Sequence, residues 1–220
     1  MIDSARQKAR QLAHQFLVQD NPTGWFDVLY ASANGDDRAV PWADMTVNPN
    51  FADWIERYNI KGEGKKALAI GCGLGDDAEE LARLGFDVVA FDISPTAIAW
   101  CRQRFPNTKV NYCVADLLAS PPSWQSNFDF VFESYTIQSL PQELRAQAIQ
   151  CISQFVSPGG SLLVICQGRD PEDNVTGPPW PLTKMELKIF ENFALKEMSF
   201  EDYLQKNQSP VRRFRVHYGI

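Results

Sequence analysis

From Lys65 onward, short apolar runs rich in β-branched residues alternate with amphipathic segments. The runs KALAIG, FDVVAFD, KVNYCVA, FDFVFES and SLLVICQ are nearly continuous in apolar residues rather than strictly alternating. Such strands are typical of a parallel sheet that helices cover on both faces. Two further strand-like segments, ALKEMSFEDYL and VRRFRVHYG, follow a helix whose capping box joins Thr183 to Glu186. The pattern predicts a doubly wound α/β fold.

The first 60 residues precede any predicted strand and carry helical patterns. Apolar residues recur at the spacing of an amphipathic helix at Ile2, Ala5, Ala9, Leu12, Ala13 and Phe16. This helix is expected to end before Asn21 and Pro22. An aromatic, turn-rich stretch follows, and Asn48 with Pro49 begins a second helix. We expect residues 1–220 to form a single domain in which residues 1–60 are a helical cap over the functional site.

The composition of the chain limits which binding partners and which cellular compartment are expected. A chain of 220 residues with 45% hydrophobic content can bury one α/β core. The net charge of −6 argues against a general phosphate-binding surface, so the expected partner is a small molecule rather than nucleic acid. The amino terminus lacks an uninterrupted apolar stretch, which argues against a secretion signal or a membrane span. Five cysteines without CxxC spacing indicate free thiols in the cytoplasm, with neither zinc nor disulfides.

The glycine loop GCGLGDD, between the first predicted strand and the next helix, indicates which cofactor is bound. A dinucleotide fingerprint would need a small residue where Asp76 stands. Asp76 and Asp77 are expected in the first turn of the helix, where they would repel a pyrophosphate and attract an ammonium or sulfonium group. S-adenosylmethionine carries no phosphate and has both cationic groups. The loop therefore favours S-adenosylmethionine over NAD.

Two aspartates at predicted strand ends are further cofactor candidates. Asp92 lies about 20 residues after the first loop glycine, the spacing of a carboxylate that accepts bonds from ribose hydroxyls. The alternative is that Asp92 only caps the next helix, but Ser94 and Pro95 already supply a cap and a first-turn proline. Asp116 is expected to face the adenine amino group, with the capping of a turn as its alternative.

The segments ALAIGCGLGDD, VVAFDIS, CVADLL, FDFVFES and VSPGGSLLVI resemble, in order and spacing, the motifs of class I S-adenosylmethionine-dependent methyltransferases. The resemblance implies a Rossmann-like, seven-stranded, mostly parallel sheet whose last strand is antiparallel. Cofactor and acceptor would bind at the carboxyl ends of the strands. The motifs and the resemblance together give the cofactor-binding residues Gly71, Cys72, Gly73, Gly75, Asp77, Asp92, Ile93, Ala115, Asp116, Leu117, Glu133 and Trp42.

Flanking segments are similar to the thiol, thiopurine and halide methyltransferase branch. VPWADMTVNPNFADWI resembles its PWD-like segment, although Ala43 separates Trp42 from Asp44, and GPPWPLTKMEL resembles its GPP segment. Many class I enzymes carry an acidic residue where this chain has Ala69. The resemblance therefore assigns the methionine end of the cofactor to Asp77.

The predicted acceptor-binding residues are Trp25, Tyr135, Gln138, Arg169 and Trp180. For each aromatic residue the alternative is ordinary packing of the cap, and for Arg169 it is an ion pair with Asp170. Glu133 either orients an acceptor or is a solvated strand end.

The predicted function is methyl transfer to a small thiol or another soft heteroatom, because neither His14 nor His217 falls in a motif segment where it could act as a base. The alternatives are natural-product O- or N-methylation, a nucleotide-dependent oxidoreductase and a noncatalytic cofactor-binding module.

Overall fold

The computed structural model of the protein describes residues 2–205 and 210–220, and its centre is one seven-stranded sheet in the order β3-β2-β1-β4-β5-β7-β6. The strands are β1 (Lys66–Ile70), β2 (Asp87–Asp92), β3 (Asn111–Val114), β4 (Phe128–Ser134), β5 (Val156–Gln167), β6 (Lys196–Gln205) and β7 (Val211–Gly219). Strands β1 to β5 are parallel, and β7 lies antiparallel between β5 and β6. The predicted fold class is confirmed.

The order of the strands locates the functional edge. The chain moves from β1 outward to β2 and β3, then returns to place β4 on the other side of β1. Open α/β sheets bind ligands outside the carboxyl ends of the strands at such a reversal. In register, Ile70 pairs with both Phe91 and Glu133, so the turns that follow β1, β2 and β4 emerge side by side.

Seven α-helices surround the sheet in the described part of the chain: α1 (Ile2–Val18), α2 (Trp25–Ala33), α3 (Pro49–Tyr58), α4 (Asp76–Arg83), α5 (Pro95–Arg104), α6 (Gln142–Phe155) and α7 (Lys184–Leu187). The predicted caps form: the side chains of Asn48 and Ser94 accept backbone N–H bonds at the starts of α3 and α5, and the Thr183 and Glu186 capping box starts α7. Among the described residues, no helix combines the length and apolar content needed to cross a bilayer.

Hydrophobic cores lie on both faces of the sheet. Successive strand residues point to opposite faces, so Val131 packs toward α6 while Phe132 packs toward α3 and α4. The doubly wound pattern of nearly continuous apolar strands follows from this two-sided burial.

The cap differs from the prediction in one element. The stretch between the first two predicted helices, expected to be turn-rich, contains helix α2, whose sequence is WFDVLYASA. Its inner residues Trp25 and Leu29 pack with Ala9 and Ala13 of α1 in a small separate core. Local aromatic and glycine content suggested turns, but burial against α1 stabilises the helix.

Strand β6 forms one edge of the sheet. Its pairing with β7 is interrupted by a register shift between Glu197 and Ser199. Met198 and Leu204 are among its exposed side chains, and Lys196, Glu197, Glu201 and Asp202 are charged residues along the same strand.

Candidate active site

The glycine loop between β1 and α4 requires glycine at positions 71 and 75. Gly71 and Gly75 have φ values of +56° and +93°, which residues with a Cβ rarely adopt. A Cβ on Gly71 would lie 2.4 Å from the Thr136 hydroxyl, and one on Gly75 would lie 2.4 Å from the Tyr112 hydroxyl. The loop backbone is therefore packed against the turn after β4 and against β3.

Asp92 ends β2 and connects the glycine loop to the start of α5. It is 7% exposed, and its two oxygens accept bonds from the backbone N–H groups of Gly73 at 3.0 Å and Ser94 at 2.9 Å. Burial raises the pKa of Asp92 to about 6, against the lowering effect of these bonds. Each oxygen keeps lone pairs for a further donor, as a ribose diol requires.

Asp77 lies in the first turn of α4 and contacts the start of α3. Its carboxylate accepts the Asn48 backbone N–H at 2.7 Å, and the Asn48 side chain donates to the Ser134 hydroxyl at 2.9 Å. Burial, opposed by the Asn48 bond and reinforced by neighbouring carboxylates, raises the pKa of Asp77 to about 7. A bound ammonium or sulfonium would favour the charged form.

Asp76 lies in the first turn of α4 as predicted, but it is already paired with a cation within the fold. Both of its oxygens accept bonds at 2.8 Å from Arg104. Asp77, in contrast, has no basic partner among the described residues and keeps its negative charge at this helix terminus available for a cation. The loop fits a cofactor without phosphate, because the Asp77 carboxylate at this helix terminus would repel a pyrophosphate.

The remaining predicted cofactor residues surround the ends of β2, β3 and β4. Ala115 donates its N–H to the Asp92 carbonyl at 3.1 Å, and Leu117 is buried one turn further on. Asp116 is exposed, and its side chain accepts the Leu118 N–H at 2.8 Å. This bond is the turn cap that was the alternative to adenine binding. Cys72 and Ile93 are half-buried beside the same turns. Their binding roles stay predictions.

Glu133 is predicted from the sequence to bind the cofactor, with orientation of an acceptor or a solvated strand end as alternatives, and the structure contradicts the solvated strand end. It is fully buried on the α6 face of the sheet, and one oxygen accepts the N–H groups of Thr136 and Ile137 at 2.7 and 3.0 Å. The other oxygen has no hydrogen-bond partner among the described residues. Burial raises the pKa of Glu133 to about 7. The observed contacts make it a support of the turn after β4.

The cap contributes residues that the sequence did not identify. Tyr30 of α2 is buried, and its hydroxyl would lie 3.3 Å from a Cβ on Gly73. Trp42 donates its indole N–H to the Tyr30 hydroxyl at 2.8 Å, which places the predicted cofactor residue Trp42 beside the loop. Asp27 accepts bonds from the Ser94 hydroxyl at 2.6 Å and the Thr96 N–H at 3.0 Å.

Asp27→Ala is expected to destabilise the fold by about 1–2 kcal/mol, because it removes a partly buried acceptor of two hydrogen bonds. At about 2–4 °C per kcal/mol this lowers Tm by several degrees, which differential scanning calorimetry measures. Asp27→Asn, which keeps one acceptor oxygen, should lose less. Identical melting of the alanine variant and the unchanged protein at pH 7 would show that the cap is held by its apolar contacts alone.

The predicted acceptor residues separate into two groups. Tyr135 is half-buried at the carboxyl edge with φ +64°, and its hydroxyl accepts a bond from Asn50 at 3.3 Å. Trp25 is 1% exposed and its indole N–H bonds to the Pro22 carbonyl, so its ring packs within the cap. The same ring lies 5.9 Å from that of Trp42.

Gln138, Trp180 and Arg169 hold the segment after β5. Gln138 is buried; its side-chain oxygen accepts the Gln167 N–H at 2.6 Å, and its carbonyl accepts the Trp180 N–H at 2.7 Å. The alternative of an ion pair between Arg169 and Asp170 is not observed: the Arg169 guanidinium donates to backbone carbonyls and lies 3.6 Å from the Glu186 carboxylate, and the Asp170 carboxylate pairs with Arg212. All three residues therefore position the backbone here, and acceptor contact stays a prediction.

Neither histidine lies at the carboxyl edge. His14 is exposed on α1. His217 packs 5.3 Å from the Trp54 ring and lines an open cavity of about 490 Å³ with Lys65, Phe86 and Asp129, near the amino ends of the strands. Within the described ranges no three His, Cys, Asp or Glu side chains are grouped to hold a metal.

Comparison with known proteins identifies the class. Residues 67–160 match the family model of the methyltransferase domain. The chain is 26% identical over 201 residues to the probable thiol methyltransferase 2 of Arabidopsis thaliana, covering 89% of this chain and 84% of that protein. It is 24% identical over 187 residues to the thiopurine S-methyltransferase of Legionella pneumophila subsp. pneumophila, covering 78% and 81%.

A solved structure shares the fold. The Burkholderia thailandensis 1,6-didemethyltoxoflavin-N1-methyltransferase superposes with a TM-score of 0.70 at 13% identity, over 94% of this chain and 89% of that chain. The domain match and the relatives confirm the predicted class: the protein is an S-adenosylmethionine-dependent methyltransferase. They also confirm the predicted similarity to the thiol and thiopurine branch.

Proposed function

We propose that the protein transfers the methyl group of S-adenosylmethionine to the sulfur of a small thiol. The observation that carries the proposal is the chemistry of the carboxyl edge, where carboxylates suited to a cationic cofactor occur without a histidine base. Similarity to the Arabidopsis thiol methyltransferase and the Legionella thiopurine S-methyltransferase supports a sulfur acceptor. The alternative is a nitrogen or oxygen acceptor. Similarity to the Burkholderia N1-methyltransferase supports the nitrogen acceptor.

In this proposal, the buried Asp92 carboxylate holds the ribose, and Asp77 holds the amino acid end of the cofactor. Ile93, Ala115, Asp116 and Leu117 surround the adenine, and the glycine loop approaches the cofactor with its backbone. S-adenosylmethionine supplies an electrophilic methyl group on a sulfonium. Tyr30 and Trp42 of the cap, which is part of the same single domain, exclude water above the loop.

The acceptor has to supply its own nucleophile. Burial raises the pKa of Tyr135, so its phenol stays protonated, and Glu133 is directed into the α6 face of the sheet. A thiol with a pKa of about 8.5 is a few per cent ionised near neutrality and intrinsically reactive. Its sulfur would form a bond to the methyl carbon as the bond to the sulfonium breaks, and the thiol proton would leave to solvent.

We also place the protein in the cytoplasm. The proposal is supported by its free cysteines Cys72, Cys101, Cys113, Cys151 and Cys166. The Cys101 thiol and burial raise the pKa of Cys72, and burial raises the pKa of Cys166, which keeps both as unreactive thiols.

Across a series of small thiols, the pH profile of kcat/KM is expected to move with the pKa of each thiol. The rates are measured at saturating S-adenosylmethionine, so that ionisation of Asp77 in the ligand-free enzyme does not contribute. His14→Gln and His217→Gln should leave every profile in place. One inflection shared by all acceptors and abolished by either substitution would mean that the enzyme supplies a base, and would favour an oxygen acceptor.

A further inference from the structure

The three arginines of β7 differ in their partners. Arg212 bonds to Asp202 at 2.7 Å and to Asp170 at 2.9 Å. Arg215 bonds to Asp53 and Glu201, each at 2.7 Å. Within residues 2–205 and 210–220, Arg213 has no carboxylate partner at ion-pair distance. Its charge is thus the one in this strand that the described fold leaves without an opposite charge.

Arg213 lies at the functional edge of the sheet. In register it pairs with Gln167, the last residue of β5, and with Tyr203 of β6. Alternation along β7 places it on the face that α3 covers, opposite to Arg212. Its guanidinium carbon lies 4.9 Å from the Tyr135 ring centroid, and its Nε donates to the Gln205 side chain at 2.7 Å.

One nitrogen of the Arg213 guanidinium is an unsatisfied buried donor. Nη1 is shielded from solvent and has no hydrogen-bond partner in the part of the chain that the structure describes. A charged donor left in this state is costly, so buried guanidinium groups are normally paired. A site with such a donor binds a ligand that can accept its hydrogen bond more tightly than a ligand that cannot.

Tyr135 connects this donor to the proposed cofactor site. Its hydroxyl and that of the preceding Ser134 accept bonds from Asn50 and Asn48, and the Asn48 backbone N–H bonds to Asp77. Arg213 stacks on the ring of Tyr135, one of the predicted acceptor-binding residues, and so lies next to the predicted acceptor site.

We propose that Arg213 is a specificity-determining residue that binds a carboxylate of the acceptor. The acceptor class is then a small thiol that carries a carboxylate, and this proposal rests on the proposed thiol methyltransferase function. A guanidinium binds a carboxylate through parallel charge-assisted hydrogen bonds, which a lysine ammonium cannot reproduce.

The test compares two acceptors that differ only in charge, 3-mercaptopropanoate and 3-mercaptopropanamide, with each kcat/KM expressed per thiolate. The unchanged enzyme is expected to prefer the acid by about tenfold to a hundredfold. Arg213→Gln should bring the ratio close to one, mainly by raising KM for the acid, and Arg213→Lys should retain part of the preference. Arg212→Gln, which removes a neighbouring arginine from the opposite face, is the matched control and should keep the ratio.

A binding measurement separates this proposal from the thiol function. In calorimetry with protein loaded with S-adenosylhomocysteine, 3-mercaptopropanoate should bind the unchanged protein and Arg212→Gln but not Arg213→Gln. Equal binding to Arg213→Gln, or methylation of both thiols without preference by the unchanged enzyme, would overturn the carboxylate site and leave the thiol function standing. Arg213-dependent binding without methylation of any thiol would overturn the thiol function and support the carboxylate site.

Discussion

Asp92→Ala is expected to weaken S-adenosylhomocysteine binding by about tenfold to a thousandfold. Each charge-assisted hydrogen bond to a ribose hydroxyl contributes about 1.5–3 kcal/mol, and about 1.4 kcal/mol corresponds to a factor of ten. The structure adds a second effect, because the Gly73 and Ser94 N–H groups also lose their acceptor. The variant should therefore melt at a lower temperature as well, and its affinity is measured by calorimetry well below that temperature.

The matched control is Asp87→Ala, because Asp87 is an exposed carboxylate at the opposite end of the same strand. It should leave the affinity unchanged. In the unchanged protein, affinity should fall as the pH is lowered through about 6, where Asp92 becomes protonated. A folded Asp92→Ala protein with full affinity would reduce Asp92 to a support of the loop.

Asp77→Asn is expected to stabilise the ligand-free protein at pH 8 and to weaken cofactor binding tenfold or more. The pKa of Asp77 is about 7 in the folded protein, above the ordinary value of 3.8, so the folded state favours the neutral form. The stability that Asp77 contributes is complete below pH 3.8 and is lost as the pH rises through about 7. Asparagine carries no charge, so the folded Asp77→Asn protein should be about 1–3 kcal/mol more stable toward unfolding at pH 8.

Thermal melting at pH 5 and pH 8, with and without S-adenosylmethionine, measures both effects. Glu133 and Asp92 have raised pKa values too and give the same sign of dependence, so the difference between variant and unchanged protein isolates Asp77. Asp76→Asn is the control in the same turn: it breaks the pair with Arg104 and should destabilise the protein. If Asp77→Asn were less stable than the unchanged protein at pH 8, the buried charge of Asp77 would not be destabilising, and the prediction would be wrong.

The strand pattern and the strand ends were predictable from the sequence because both are local. Nearly continuous apolar runs follow from burial on two faces, and each carboxylate predicted to bind the cofactor directly follows a run or a glycine loop. Asp77 and Asp92 could therefore be singled out. Ser94 and Asn48 could be assigned as caps because a cap bonds within its own next turn.

The remaining site residues depend on contacts between distant parts of the chain. Asp27 and Tyr30 lie in a segment with turn-like composition, and the roles the structure gives them arise where α2 meets α5 and the glycine loop. The burial of Glu133 could not be predicted from the sequence, because it depends on the turn that folds back over this residue. Among the described residues Arg213 has no carboxylate partner, and this could not be predicted because it depends on its neighbours in β7 pairing with residues 10 to 162 positions away.

The exposed edge strand β6 has a consequence for handling the protein in solution. An open ten-residue edge is a template on which other chains can add strands, and Met198 and Leu204 would strengthen such pairing. The register shift after Glu197 and the charges of Lys196, Glu197, Glu201 and Asp202 oppose it. Acidification that neutralises these carboxylates removes much of that protection, so aggregation at low pH should begin along this edge.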